Sequence, residues 1–180
     1  EYTDRDITMW LNTSFEQTPV DDLLDAAKQG TALLDPGLEP YIQLLANNPD
    51  LIRFVAFDTD TAATGFVTNV IIVREKMLFD LSALELAQAT VNVMPDSIQV
   101  RQEPAEYELE GFDSVAHAQW LIETLVGDVV SLVYIIEDGD YMYSITFSTI
   151  PDRVDFDQAQ AELALSTLVI DRTAEEEAED

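Results

Sequence analysis

Apolar residues recur along this chain in two rhythms, and the switches between them divide it into elements. Ile7, Met9 and Leu11 alternate with polar neighbours across Asp6 to Asn12, which predicts an opening strand. From Thr18 the spacing becomes helical. Val20, Leu23, Leu24 and Ala27 form one stripe, started by Thr18-Pro19 and stopped by Gly30. Asp35-Pro36 starts a second helix with Leu38, Tyr41, Ile42 and Leu45 on its face, closed by Asn48-Pro49. Alternation returns in Leu51 to Asp58 and in Phe66 to Arg74, with turn chemistry between them from Asp58 to Gly65. Ser82 then opens a helix: Ser82 and Glu85 make a capping box, and Leu81 and Leu86 take the positions of a hydrophobic staple. Leu84, Ala87, Val91 and Met94 are its expected buried face, and Pro95 its end.

The second half reads as strands. Ser97 to Glu103, Tyr107 to Gly111 and Ser114 to Thr124 qualify, and Val129 to Thr149 predicts a hairpin turning at Asp138-Gly139, a pair suited to a type I′ turn. On its return arm Tyr141, Tyr143, Ile145 and Phe147 share one face, with Ser144, Thr146 and Ser148 on the other. A last helix, capped by Asp155, should bury Ala161, Leu165, Leu168 and Val169. In Val129 to Ile136 both alternate sets are apolar, as are Val70 and Ile72 against Ile71 and Val73. Such strands must be covered on both sides, yet tight hairpins make neighbours antiparallel. The expected fold is α+β: a mainly antiparallel sheet with helices on both faces, an α/β/α sandwich. One domain over residues 1–173 is expected, followed by an acidic, disordered tail over 174–180.

This order of elements resembles the PsbP-like domains, the fold of an extrinsic photosystem II subunit, a Ran-binding import factor and many bacterial extracytoplasmic lipoproteins. The resemblance covers roughly Ile7 to Ile170. It rests on the early strand, the two-helix insertion, the strand Phe54-Val55-Ala56-Phe57-Asp58 and the longer strand from Phe66 to Val73. After the helix at Ser82 it continues through Tyr107-Glu108-Leu109-Glu110-Gly111, a strand around Trp120, the Asp138-Gly139 hairpin and the final helix. The family shares no catalytic motif, so the resemblance assigns no active-site residue. It implies a non-enzymatic binding or assembly module, exported and often lipid-tethered. The Ran-binding and photosystem II surfaces do not carry over to so acidic a chain.

Charge changes the picture more than size does. In 180 residues, 36 acids against eight bases leave a net charge of -28. Nucleic acid and anionic lipid are thereby disfavoured, because phosphate binding needs Lys and Arg to displace counterions. The acidity suits either a salty exterior or a basic partner drawn in by long-range attraction. Cysteine is absent, which removes thiol nucleophiles, disulfides and thiolate metal sites, and no apolar run reaches the ~20 residues of a membrane span. The chain starts at Glu1 rather than Met, so a preceding piece is expected to have been removed: either the domain was cut from a longer chain, or a signal peptide or lipoprotein leader was lost.

Candidate chemistry is sparse, and no catalytic, cofactor-binding or metal residue is assigned. His117 is the only histidine and so the only base titrating near neutrality, but Asp113 and Ser114 beside it lack the context of a nucleophile elbow. The plain alternative is a strand histidine, partly exposed or hydrogen-bonded. Acid pairs such as Asp21-Asp22 or Asp155 and Asp157 arise by chance in so acidic a chain, and a sugar-cleaving site would need aromatics such as Trp10 and Trp120 to meet around a buried acid. Asp58-Thr59-Asp60 begins like a calcium loop, but Ala62 and Ala63 stand where a ligand and the turn glycine belong; Asp138 and Asp140 are explained by hairpin geometry. Trp10 is either an exposed contact or, more ordinarily, buried under a helix. The expected role is an exported, non-enzymatic module of the bacterial envelope that engages a protein or envelope component, with a small-ligand or divalent-cation-binding domain and an acidic hydrolase as alternatives.

Overall fold

In this computed structural model the described residues are 1–4, 6–17, 47–124 and 127–171. The two helices expected between Thr18 and Asn48, the pair Asp21-Asp22 and the tail 174–180 fall wholly or largely outside them. Short strands β1 (Tyr2–Asp4), β2 (Ile7–Met9) and β3 (Phe15–Gln17) come first, then β4 (Ile52–Asp58) and β5 (Asn69–Lys76). Helix α1 (Ala83–Val91) leads to β6 (Ile98–Glu106), β7 (Ser114–Ile122), β8 (Val129–Asp138) and β9 (Tyr141–Thr149). Helix α2 (Val154–Leu165) and β10 (Val169–Ile170) complete the order. Seven strands form one sheet in the order β3-β4-β5-β9-β8-β7-β6, and β1-β2-β10 form a second. Every pairing between them is antiparallel.

The doubly apolar strand sits where its composition demands, one in from the centre of the sheet. Val130, Leu132, Tyr134 and Ile136 of β8 join a core with Val70, Ile72, Ile145 and Phe147, closed by Val154, Ala161, Ala164 and Leu165 of α2. Val133 and Ile135, on the opposite side of the same strand, pack with Ala116, Met142 and Ala83 and Ala87 of α1. Since successive strand residues point to opposite faces, α1 and α2 lie on opposite faces of the sheet. A third cluster of Ile52, Val55 and Val73 occupies the β4–β5 end.

Several boundaries differ from expectation for identifiable reasons. The capping box at Ser82 is present, with Glu85 bonded back to the Ser82 N–H. Helix α1 nevertheless ends at Val91, so Met94 lies beyond it, and its buried residues are Ala83 and Ala87, small enough for close approach to the sheet. Strand β6 runs to Glu106 through two register shifts and Pro104, which an edge strand tolerates. Tyr107 to Gly111 is therefore the connection into β7 rather than a strand, with Gly111 at φ 91°. The hairpin turns on Gly139-Asp140, because Asp138 still pairs with Tyr141; Gly139 takes φ 60°. Asp155 does not cap α2. A single 3-10 turn, Pro151–Arg153, feeds directly into that helix, and Asp155 sits exposed in its first turn. Val169 belongs to β10 and points to solvent.

Candidate functional site

The buried charges are structural ties. Asp6 lies between the sheets and accepts bonds from Arg53 Nε at 2.7 Å, Arg74 Nη1 at 3.1 Å and the Tyr143 hydroxyl at 2.8 Å. Burial alone would raise its pKa, but the bonds from Arg53 and Tyr143 and the charge of Arg53 outweigh that and hold it below the usual carboxylate value. Asp157 anchors α2 in the same manner. It receives Arg153 Nη2 at 2.9 Å, Arg153 Nε at 3.1 Å and the Thr149 hydroxyl, while Asp155 two residues earlier stays in solvent. The two acids expected on a solvated face are thus one buried anchor, Asp157, and one exposed charge, Asp155.

His117 projects beneath α2 from a strand whose next residue, Ala118, faces the other way. It is buried rather than partly exposed, at 4% of its accessible surface. Its ring stacks on that of its cross-strand partner Tyr134, with centroids 4.5 Å apart and planes 19° apart, and Tyr107 closes on Tyr134 edge-on at 5.3 Å. Gln102 Nε2 lies 3.3 Å from His117 Nδ1; among the described residues His117 Nε2 and the Tyr134 hydroxyl have no hydrogen-bond partner. Burial lowers the His117 pKa, partly opposed by the charge of Glu162 on α2. Burial and Glu162 together raise Tyr107 and Tyr134. Ser114, in contrast, takes the Ala83 N–H bond of α1 on its Oγ at 3.1 Å. The residues of the hypothetical Ser-His pair therefore face opposite sides of the sheet.

The other sequence candidates disperse as well. Asp58 caps the 3-10 helix Thr59–Thr64 by accepting the Asp60 N–H, which explains Asp58-Thr59-Asp60 without a metal. Among the described residues no three His, Asp or Glu side chains converge as a bound metal would require. Trp120 packs under α1, whereas Trp10 lies exposed one residue past β2, so no aromatic pair frames an acid. Among the described residues the carboxyl groups with displaced titration, Asp6 and Glu85, are both held down; Glu85 is held by the Ser82 backbone and hydroxyl. A general acid would need the reverse.

Among the described residues Leu78, Phe79 and Val93 at the two ends of α1 are 86%, 74% and 81% exposed, and two further surface features stand out. An open groove of about 590 Å³ runs between the β6–β7 connection and the β8–β9 hairpin, lined by Asp113, Glu137, Asp138, Asp140 and Tyr141. The second feature escaped the sequence reading. Phe156 and Leu163 on the outer side of α2 are 56% and 63% exposed, and Trp10, one residue past β2, and Val169 of β10 are each 58% exposed. Trp10 is thus exposed, not a side chain buried under a helix.

The geometry defines a class first: an α+β domain with a mainly antiparallel sheet and a few helices. Compared with solved structures, the fold is PsbP-like. The chain is similar to LpqN, described as involved in cell envelope biogenesis of Mycobacterium tuberculosis, at 12% identity and a TM-score of 0.58, over 92% of this chain and 83% of that one. It is also similar to cyanobacterial PsbP (CyanoP) from Synechocystis sp. PCC 6803, at 10% identity and a TM-score of 0.51, over 93% and 94% of the two chains. No family model matches the sequence, and no curated protein does. Among the described residues no helix is long and apolar enough to cross a membrane.

Proposed function

We propose that this chain is a non-enzymatic binding or assembly module of the bacterial cell envelope, acting outside the cytoplasm and engaging a protein or envelope component. The architecture is taken as an α/β/α sandwich, supported by α1 and α2 lying on opposite faces of the sheet. The observation that carries the reading is large apolar side chains held in solvent on rigid elements of a chain with a net charge of -28. Exposed apolar groups gathered into a patch are characteristic of contact surfaces. Similarity in fold to an envelope-biogenesis protein supports the setting.

Cross-linking in the native cells tests this. A tagged chain treated with a cell-impermeant reagent should give a discrete partner adduct from intact cells. Labelling only after lysis, or no adduct at all, would refute the reading. A second reading, weak capture of cationic groups, is favoured by the acidic groove at the hairpin. In that case Asp113→Asn with Glu137→Gln should abolish binding of a spermidine probe.

A further inference from the structure

We infer that the outer ridge of α2, continued by Trp10 and Val169, is a docking site for a cationic amphipathic segment of a partner protein. The inference rests on the partner-binding reading above and names the surface and the chemistry.

The helix itself supplies the first argument. Val154, Ala161, Ala164 and Leu165 of α2 are buried. Phe156 and Leu163 point away from that side. Seven residues apart, they differ in direction by only about 20° and are separated by about 10 Å along the axis, so they form one ridge. A helix needing only to cover a core would carry polar residues there. Phe156 is braced by the Arg153 guanidinium, 5.2 Å from its ring centroid, and Arg153 is in turn fixed to buried Asp157.

Beyond the end of α2 the ridge meets the small sheet. The Trp10 N–H bonds Thr167 Oγ1 at 3.0 Å, and Thr167 follows Leu163 by four residues. Val169 pairs with Thr8, whose neighbours Ile7 and Met9 are buried. Thr8 and Val169 consequently share the outward side of that sheet, and Trp10, one residue past β2, is 58% exposed. The bond to Thr167 thus brings the end of α2 next to the chain segment that carries Trp10.

Charge selects the occupant. Asp152 and Asp155 lie exposed beside the ridge, and Glu162 is half-buried at its flank. A second copy of the chain would bring another -28 against the same surface. A partner with apolar side chains flanked by Lys or Arg gains burial and attraction together, and the long-range field would speed its approach.

The test uses a short synthetic helix-forming peptide with leucines on one face and lysines on the other, beside an oligolysine of equal length. Binding to the full chain is read by anisotropy and by Trp10 emission, with Trp10→Phe identifying that signal. The amphipathic peptide should bind at least roughly tenfold more tightly than oligolysine and shift Trp10 emission to the blue. Phe156→Gln with Leu163→Gln, both at exposed positions, should weaken it by roughly tenfold or more. Equal binding of the two peptides, unaffected by the double variant, would overturn the ridge while leaving the partner reading intact. So would a dimer in sedimentation that Leu163→Gln abolishes, or Trp10 shielded from quencher in the free protein. If neither peptide binds, the ridge proposal is overturned, and the envelope cross-link decides the partner reading separately.

Discussion

Helices α1 and α2 do the same architectural work on opposite faces of one sheet, yet they are built differently. Helix α1 seats Ala83 and Ala87 on an apolar floor of Ala116, Val133, Ile135 and Met142. It turns Glu85, Gln88 and Asn92 to water. Its floor and its outer side both follow the usual amphipathic plan. Helix α2 departs from that plan on both sides. Its floor contains buried His117 and Gln119, the latter bonded to Gln158 at 3.0 Å. Its outer side carries Phe156 and Leu163. The body of α1 is a cover, its exposed apolar residues Leu78, Phe79 and Val93 lying in the flanking connections, whereas α2 carries exposed apolar residues on the helix itself.

The contrast can be broken or sharpened by substitution. The largest effect should follow loss of the α2 anchor. Asp157→Ala leaves the Thr149 hydroxyl with only the Thr68 hydroxyl, 3.4 Å away, and removes the tie to Arg153, and should cost about 3 kcal/mol in urea unfolding, the low end for a buried pair because Arg153 retains access to water. A cost under about 1 kcal/mol would show that α2 is held by apolar contact alone. Next, Ala87→Leu wedges extra volume between α1 and its floor and should cost about 2 kcal/mol. The same change at the exposed Ala159 on the outside of α2, Ala159→Leu, should leave the unfolding midpoint unchanged.

A smaller effect depends on pH and separates the two floors. Burial holds the His117 pKa below its ordinary value of 6.5. Above that pH the residue is neutral folded and unfolded, and adds no pH dependence. As pH falls below it, the unfolded chain takes up a proton that the fold resists, so stability drops until the folded pKa is reached. His117→Phe should flatten that decline between neutral and mildly acidic pH, read as a smaller slope of unfolding free energy against pH. An unchanged slope would mean that His117 is freely protonated in the fold. The smallest effect belongs to the ridge: Phe156→Gln and Leu163→Gln should each alter stability by less than about 0.5 kcal/mol.

What could be read from the sequence follows from how each element is specified. The hairpin was legible because a glycine between two alternating runs needs no tertiary information, although placing the turn one residue late required the pairing of Asp138 with Tyr141. The cap at Ser82 was legible because both its bonds are local. Strand β6 was only half visible: an exposed edge carries no apolar alternation, and Pro104 hides its continuity. The ridge was illegible for a related reason. Apolar residues on two sides of α2 blur the helical period, so Phe156 and Leu163 read as ordinary members of a helix. Trp10 was misjudged because it falls just past β2, a strand of the separate small sheet rather than of the sheet that the helices cover. Ser114 and His117 are separated by an odd number of strand positions and so face opposite sides, which the sequence shows, but the burial of His117 under a helix needed the fold.

The two tryptophans stand on opposite sides of this comparison, and they provide the most direct test. Trp10 borders the α2 ridge, and Trp120 packs with the α1 cluster. On titrating the nitrogen-15-labelled chain with the lysine–leucine peptide, the Trp10 indole resonance should move in proportion to occupancy while that of Trp120 stays in place. Movement of Trp120 with Trp10 unmoved would contradict the account, since the partner would then be meeting the face assigned to cover alone.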